Sequence, residues 1–78
     1  MDRASLQSHL ARTESNIVEG EQRIARQRAV ILELESESRD TTGDAMLLDL
    51  FQDLQSAYVT VRDRLRAELE KPEVEKPE

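Results

Sequence analysis

The sequence has no cysteine and no tryptophan, and only one phenylalanine (Phe51), one tyrosine (Tyr58), two glycines and two prolines in 78 residues. Without cysteine there is neither a disulfide framework nor a thiolate metal site. Two aromatic rings are too few for a base-stacking surface. So little glycine and proline argues against a loop-rich or all-β design. No apolar run approaches the ~18 residues of a membrane span, and Met1–Ser5 lacks a signal-peptide pattern. The expectation is a cytoplasmic protein with neither a nucleic-acid nor a membrane partner. At 9.0 kDa there is room for one small domain, and a single core of this size seldom contributes more than ~3–5 kcal/mol.

What the chain does have is charge. It carries 17 acidic and 11 basic residues, a net −6. Residues 1–39 hold seven acids and six arginines, whereas residues 40–78 hold ten acids and five bases. This balance disfavours nonspecific binding to phosphate backbones and suits solubility or a basic partner.

The C-terminal residues separate from the rest by composition. Glu70-Lys71-Pro72-Glu73 recurs as Glu75-Lys76-Pro77-Glu78, and so polar a segment has nothing to pack. Residues 71–78 are expected to form a disordered tail. Residues 1–70 read as one helical hairpin: helix 1 over about 3–37, a turn over 38–42 and helix 2 over about 42–70.

The helix assignment rests on spacing. Leu6, Leu10, Thr13, Ile17, Gly20, Ile24, Gln27, Ile31 and Leu34 follow each other at alternating steps of four and three, which is a heptad seam. Leu47, Phe51, Leu54, Tyr58, Val61 and Leu65 repeat that spacing in helix 2. A short connection between long helices implies antiparallel neighbours. Folding about residues 40–41 pairs Leu34 with Leu47, Ile31 with Phe51, Gln27 with Leu54, Ile24 with Tyr58, Gly20 with Val61 and Ile17 with Leu65. In that register Gly20 either makes room for the Tyr58 ring or is a weak point of the helix, and Gln27 either bonds across an interface or lies at a wet edge. Leu6 and Leu10 would overhang the end of helix 2.

Apolar surface is left over. Ala4, Ala11, Val18, Ala25 and Leu32 form a second stripe on helix 1, and Leu48, Leu50 and Ala57 flank the helix 2 seam. The simplest way to cover them is a homodimer closing into a four-helix bundle. The alternative is a heterologous protein partner bound through the spare stripe.

No catalytic, metal or cofactor constellation emerges. His9 has no partner ligand, no Glu-x-x-His pair exists for a di-iron bundle, and Asp40 and Asp44 lack calcium-loop spacing. Asp49 and Asp53 share a helix face, which reads as solvated acid. The serines have no base at hand for activation. Arg23, Arg26 and Arg28, with Arg62, Arg64 and Arg66, form two basic clusters that suggest either an anion site or pairing with nearby glutamates.

Several runs resemble a family of short uncharacterised alphaproteobacterial helical-hairpin proteins: Gly20-Glu21-Gln22-Arg23-Ile24-Ala25-Arg26-Gln27-Arg28, then Asp40-Thr41-Thr42, then Leu47-Leu48 with Phe51, then Arg62-Asp63-Arg64-Leu65-Arg66-Ala67-Glu68-Leu69. Gln22 stands where the family usually has arginine, and Ser38-Arg39 where it usually has Gly-His, so helix 1 is expected to end less sharply here. The resemblance implies a bacterial cytoplasmic origin and carries no activity.

The sequence therefore predicts an all-α hairpin acting as a non-enzymatic interaction module. Ile24→Asp, which sets a charge in the seam, is expected to abolish folding or assembly. Circular dichroism and sedimentation mass read the outcome; retained helicity with unchanged mass would refute the seam.

Overall fold

The computed structural model describes residues 2–72. The described chain is all-α. Helix α1 spans Arg3–Ser36, α2 spans Thr42–Glu70, and they pack against each other as an antiparallel hairpin. At ~1.5 Å per residue α1 is about 50 Å long and α2 about 44 Å. The tail expected over 71–78 lies, beyond Pro72, outside the described residues.

Each helix end has its own fastening. At the start of α1 the Asp2 carboxylate accepts from the Ser5 backbone N–H at 2.7 Å, satisfying one of the otherwise unbonded donors of the first turn. This bond holds the exposed Asp2 carboxyl below its ordinary pKa. Arg3 donates from Nη1 to the Leu69 carbonyl at 3.0 Å, placing a cation where the α2 dipole is negative. The same contact removes the overhang expected of Leu6 and Leu10. Residue 3 already reaches the last turn of α2, and both leucines are half-buried.

The other end of α1 corrects a second expectation. Although glycine is absent, the helix stops cleanly. Ser38 takes a left-handed backbone (φ 56°), its N–H bonds the Glu35 carbonyl at 3.0 Å, and the Arg39 N–H bonds the Leu34 carbonyl at 2.9 Å. These two bonds make a Schellman ending, which collects carbonyls the helix leaves free. Two residues on, the Asp40 carboxylate accepts from both the Thr42 backbone N–H (3.0 Å) and the Thr42 hydroxyl (2.7 Å). Asp40 is thereby kept more acidic than usual, with the hydroxyl as the larger cause. Thr41, the residue before α2, makes no side-chain capping bond, so Asp40 performs that task.

The largest difference from expectation lies in which face of α2 turns inward. On α1 the expected seam lies inside: Thr13, Ile17, Gly20 and Gln27 are buried, and Leu10, Ile24, Ile31 and Leu34 half-buried. On α2 the inward line is Asp44, Leu48, Phe51, Gln55, Tyr58, Arg62, Leu65 and Leu69. Phe51, Tyr58 and Leu65 belong to both lines, but Leu47, Leu54 and Val61 are 39%, 41% and 37% exposed. The expected register changes as well: in the contacts of Ile17, Gly20, Arg23 and Gln27, the α2 partner comes six to ten positions earlier than a fold about residues 40–41 would set it. Gln27 meets Asp44 rather than Leu54, and Gly20 meets Gln55 rather than Val61. The physical reason is the polar content of the α1 seam: a buried amide needs a hydrogen-bond partner, which Asp44 supplies and Leu54 lacks.

Ser38 sits in a backbone region that costs a non-glycine residue about 1–2 kcal/mol. Ser38→Gly is expected to raise stability by about 0.5–1 kcal/mol, once glycine's extra unfolded-state freedom is deducted. Urea denaturation followed by circular dichroism checks this; a lower midpoint would contradict the ending described.

Candidate functional site

The features that distinguish this hairpin are its polar seam and its uncovered outer faces. In the seam, Gln27 Nε2 donates to the Asp44 backbone carbonyl at 2.9 Å and to its carboxylate Oδ1 at 3.1 Å. Gln55 Nε2 donates to the Ile17 carbonyl at 2.8 Å, while its Oε1 is buried with no partner. That oxygen lies where a side chain on Gly20 would project, so a Cβ there would overlap it. The missing side chain makes room for the Gln55 amide, not for the Tyr58 ring. Thr13, buried one heptad earlier, satisfies its hydroxyl by donating back to the His9 carbonyl at 2.8 Å, an internal helix bond that asks nothing of α2.

Apolar packing in this seam is thin. Ile17 and Leu65 are the buried hydrophobics among the described residues, and no side chain falls below 2% exposure. Against that, Val18, Val30, Leu32, Met46, Leu47, Leu50, Leu54 and Val61 are exposed. Two of the outer faces are ordered stripes. On α2, Leu47, Leu50, Leu54, Ala57 and Val61 keep a three-four spacing along one side. On α1, Ala4, Ala11, Val18, Ala25 and Leu32, the stripe anticipated from the sequence, all lie exposed. The α2 stripe was concealed because three of its members were assigned to the intrachain seam. It is also the heavier one, with four large aliphatics against two.

The arginines resolve into separate contacts. The Arg23 guanidinium lies 5.6 Å from the centre of the Phe51 ring, within cation–π range. Arg66 pairs with Glu14 at 2.8 Å and Arg62 with Asp63 at 3.1 Å. These are surface pairs worth ~0–1 kcal/mol. Arg23 is level with Phe51, whereas Arg66 is level with Glu14, about 13 Å further along α1, so these two arginines, one from each cluster, do not converge. A shallow groove runs between the helices beside Ile17 and Val18, edged by Glu14, Glu21, Arg62 and Arg66. Another depression lies along Asp2, Ser5, Ser8, His9 and Arg12 on α1 alone. Among the described residues no three His, Asp or Glu side chains gather as a metal site would require, and no helix is long and apolar enough to cross a membrane.

No family model, no curated protein and no solved structure matches this chain. The faces of the hairpin therefore carry the functional argument unaided.

The Gly20–Gln55 contact yields a double-mutant test. Glycine to alanine inside a helix ordinarily gains about 1 kcal/mol. In this chain Gly20→Ala must displace the Gln55 amide from its bond to Ile17, a loss of about 1 kcal/mol, so the single variant is expected to be near neutral. In a Gln55→Ala background the same change is expected to recover its ~1 kcal/mol. Equal effects in both backgrounds would show that the two residues do not touch.

Proposed function

We propose that this chain is a non-enzymatic helical protein–protein interaction module that self-associates in the cytoplasm. The observation that carries the reading is the inversion of its packing: among the described residues no side chain is fully buried, yet large aliphatics stand exposed in heptad order along α2. Apolar area contributes to stability only when removed from water, at roughly 25 cal/mol per Å². A two-helix hairpin offers only one stripe per helix to that end, and here part of each stripe is polar. Pairing with a second copy supplies the missing layer without further sequence, and a twofold pair is the commonest closed arrangement. Four helices in that pair would form a bundle of the ordinary antiparallel kind.

A second reading has its own support. The α1 stripe of Ala11, Val18, Ala25 and Leu32 is exposed in the single chain, and its small residues would let another helix approach closely. In that reading the chain is a small acidic adaptor or regulator, and a heterologous protein covers α1.

Sedimentation equilibrium across a wide concentration range separates the two. Self-association is expected to give a helical species of ~18 kDa, twice the chain mass of 9.0 kDa. A helical ~9 kDa species at every concentration would overturn it and transfer the function to the heterologous partner.

A further inference from the structure

We infer that the self-association surface is the exposed α2 stripe, and that two copies pair through it antiparallel, α2 against α2. This rests on the self-association proposed above and specifies its surface and direction.

The first ground is geometry. Leu47, Leu50, Leu54, Ala57 and Val61 recur at the spacing by which one helix meets another. The stripe is bounded on the α2 sequence by Gly43 before it and by Arg64 and Glu68 after it. It lies beside the inward line of α2, so a partner there does not compete with α1 for the same side chains. The α1 stripe, with three alanines among its five positions, offers less area.

The second ground is charge, and it selects both the occupant and its direction. Over residues 42–56, α2 carries Asp44, Asp49 and Asp53 and no base. Over residues 57–70 it carries Arg62, Arg64 and Arg66 against Asp63, Glu68 and Glu70. An antiparallel second copy sets the acidic half of each α2 along the charge-balanced half of the other, which holds the helix's three arginines. A parallel copy sets acid along acid. The whole hairpin has the same polarity: the half holding the turn, residues 20–56, has eight acids and four bases, and the described open half has six of each. Electrostatic matching of this kind fixes orientation and suppresses the wrong pairing more than it adds affinity.

The third ground is self-complementary size. With the twofold axis between residues 54 and 57, Leu54 lies over Ala57 of the partner subunit, a large side chain over a small one. Leu50 then meets Val61 of the partner subunit, and Leu47 lies along the aliphatic stem of Arg64 of the partner subunit, whose charged end reaches water. Asp53 faces Thr60 of the partner subunit instead of a second copy of itself.

Because the chain has no cysteine, one introduced cysteine gives one label. Asp49→Cys and Asp63→Cys place spin labels on exposed positions more than about 100° round the helix from the stripe's midline, and pulsed dipolar spectroscopy of the full chain reads the distances. In the antiparallel pair, like labels are offset along the axis by about 20 Å. A mixture of the two variants brings 49 level with 63, giving a distinctly shorter distance. Short like-label distances, or a mixture no shorter than its parents, overturn the antiparallel assignment while self-association stands. A monomer at every concentration, with no intermolecular distance, overturns both proposals. Leu50→Glu checks the surface separately: it is expected to weaken dimerisation about a hundred-fold. Val18→Glu on the α1 stripe is expected to leave dimerisation unchanged. The reverse pattern moves the interface to α1 and overturns the inference.

Discussion

The structure depends on a buried amide. Gln27 occupies a seam position on α1 that an apolar residue would fill in an ordinary coiled coil, and its two donor bonds to Asp44 hold the first turn of α2 in one rotation. An unpartnered buried amide costs about 1–3 kcal/mol. Rotating α2 to bring Leu47 and Leu54 inward would therefore gain aliphatic contact and lose this satisfaction. Once Asp44 faces α1, the 3.6-residue repeat carries Leu48, Phe51, Gln55, Tyr58 and Leu65 inward behind it and leaves Leu47, Leu54 and Val61 outside. Buried polar residues are best attested in exactly this role, fixing register at the expense of stability.

The seam that results is held at its ends and loose in its middle. At the turn, the Schellman bonds from Ser38 and Arg39 and the Asp40 carboxylate fix the reversal. At the open end, Arg3 ties α1 to the Leu69 carbonyl in the last turn of α2. Between them lies Gln55, with one amide bond made and an oxygen left without a partner. Interiors are specified by close packing, and among the described residues this one has two buried apolar side chains to work with, Ile17 and Leu65. Its uniqueness comes from polar matching more than from shape.

Helix periodicity was legible in full, because alternating steps of four and three leave no strand reading. The inner face of α1 was legible for the same reason, down to the buried Gly20 and Gln27. The rotation of α2 and its axial register were not. Two lines of residues, one through Leu47, Leu54 and Val61 and the other through Leu48, Gln55 and Arg62, share Phe51, Tyr58 and Leu65. Counting apolar residues favours the first. What decides in favour of the second is a requirement of α1, the hydrogen bonds of Gln27, and no property of α2 taken alone reveals it. The signal available was Gln27 at a seam position, whose amide asks for a polar residue opposite, together with Gly20, which leaves room for a side chain from α2. The outward stripe became visible only after that choice was made. The end of α1 was misjudged for a simpler reason: serine tolerates the left-handed turn when two backbone bonds hold it there.

The Arg3–Leu69 contact also determines where the hairpin can be extended. Residues 2–3 and 69–72 share one pole, and the turn at 37–41 occupies the other. Anything joined through either of those ends projects from that single pole. In an antiparallel pair the poles alternate, so two such extensions leave in opposite directions, on the order of 40 Å apart, each beside the turn of the opposite copy. The assembly would then serve as a short strut that presents the same cargo at both tips.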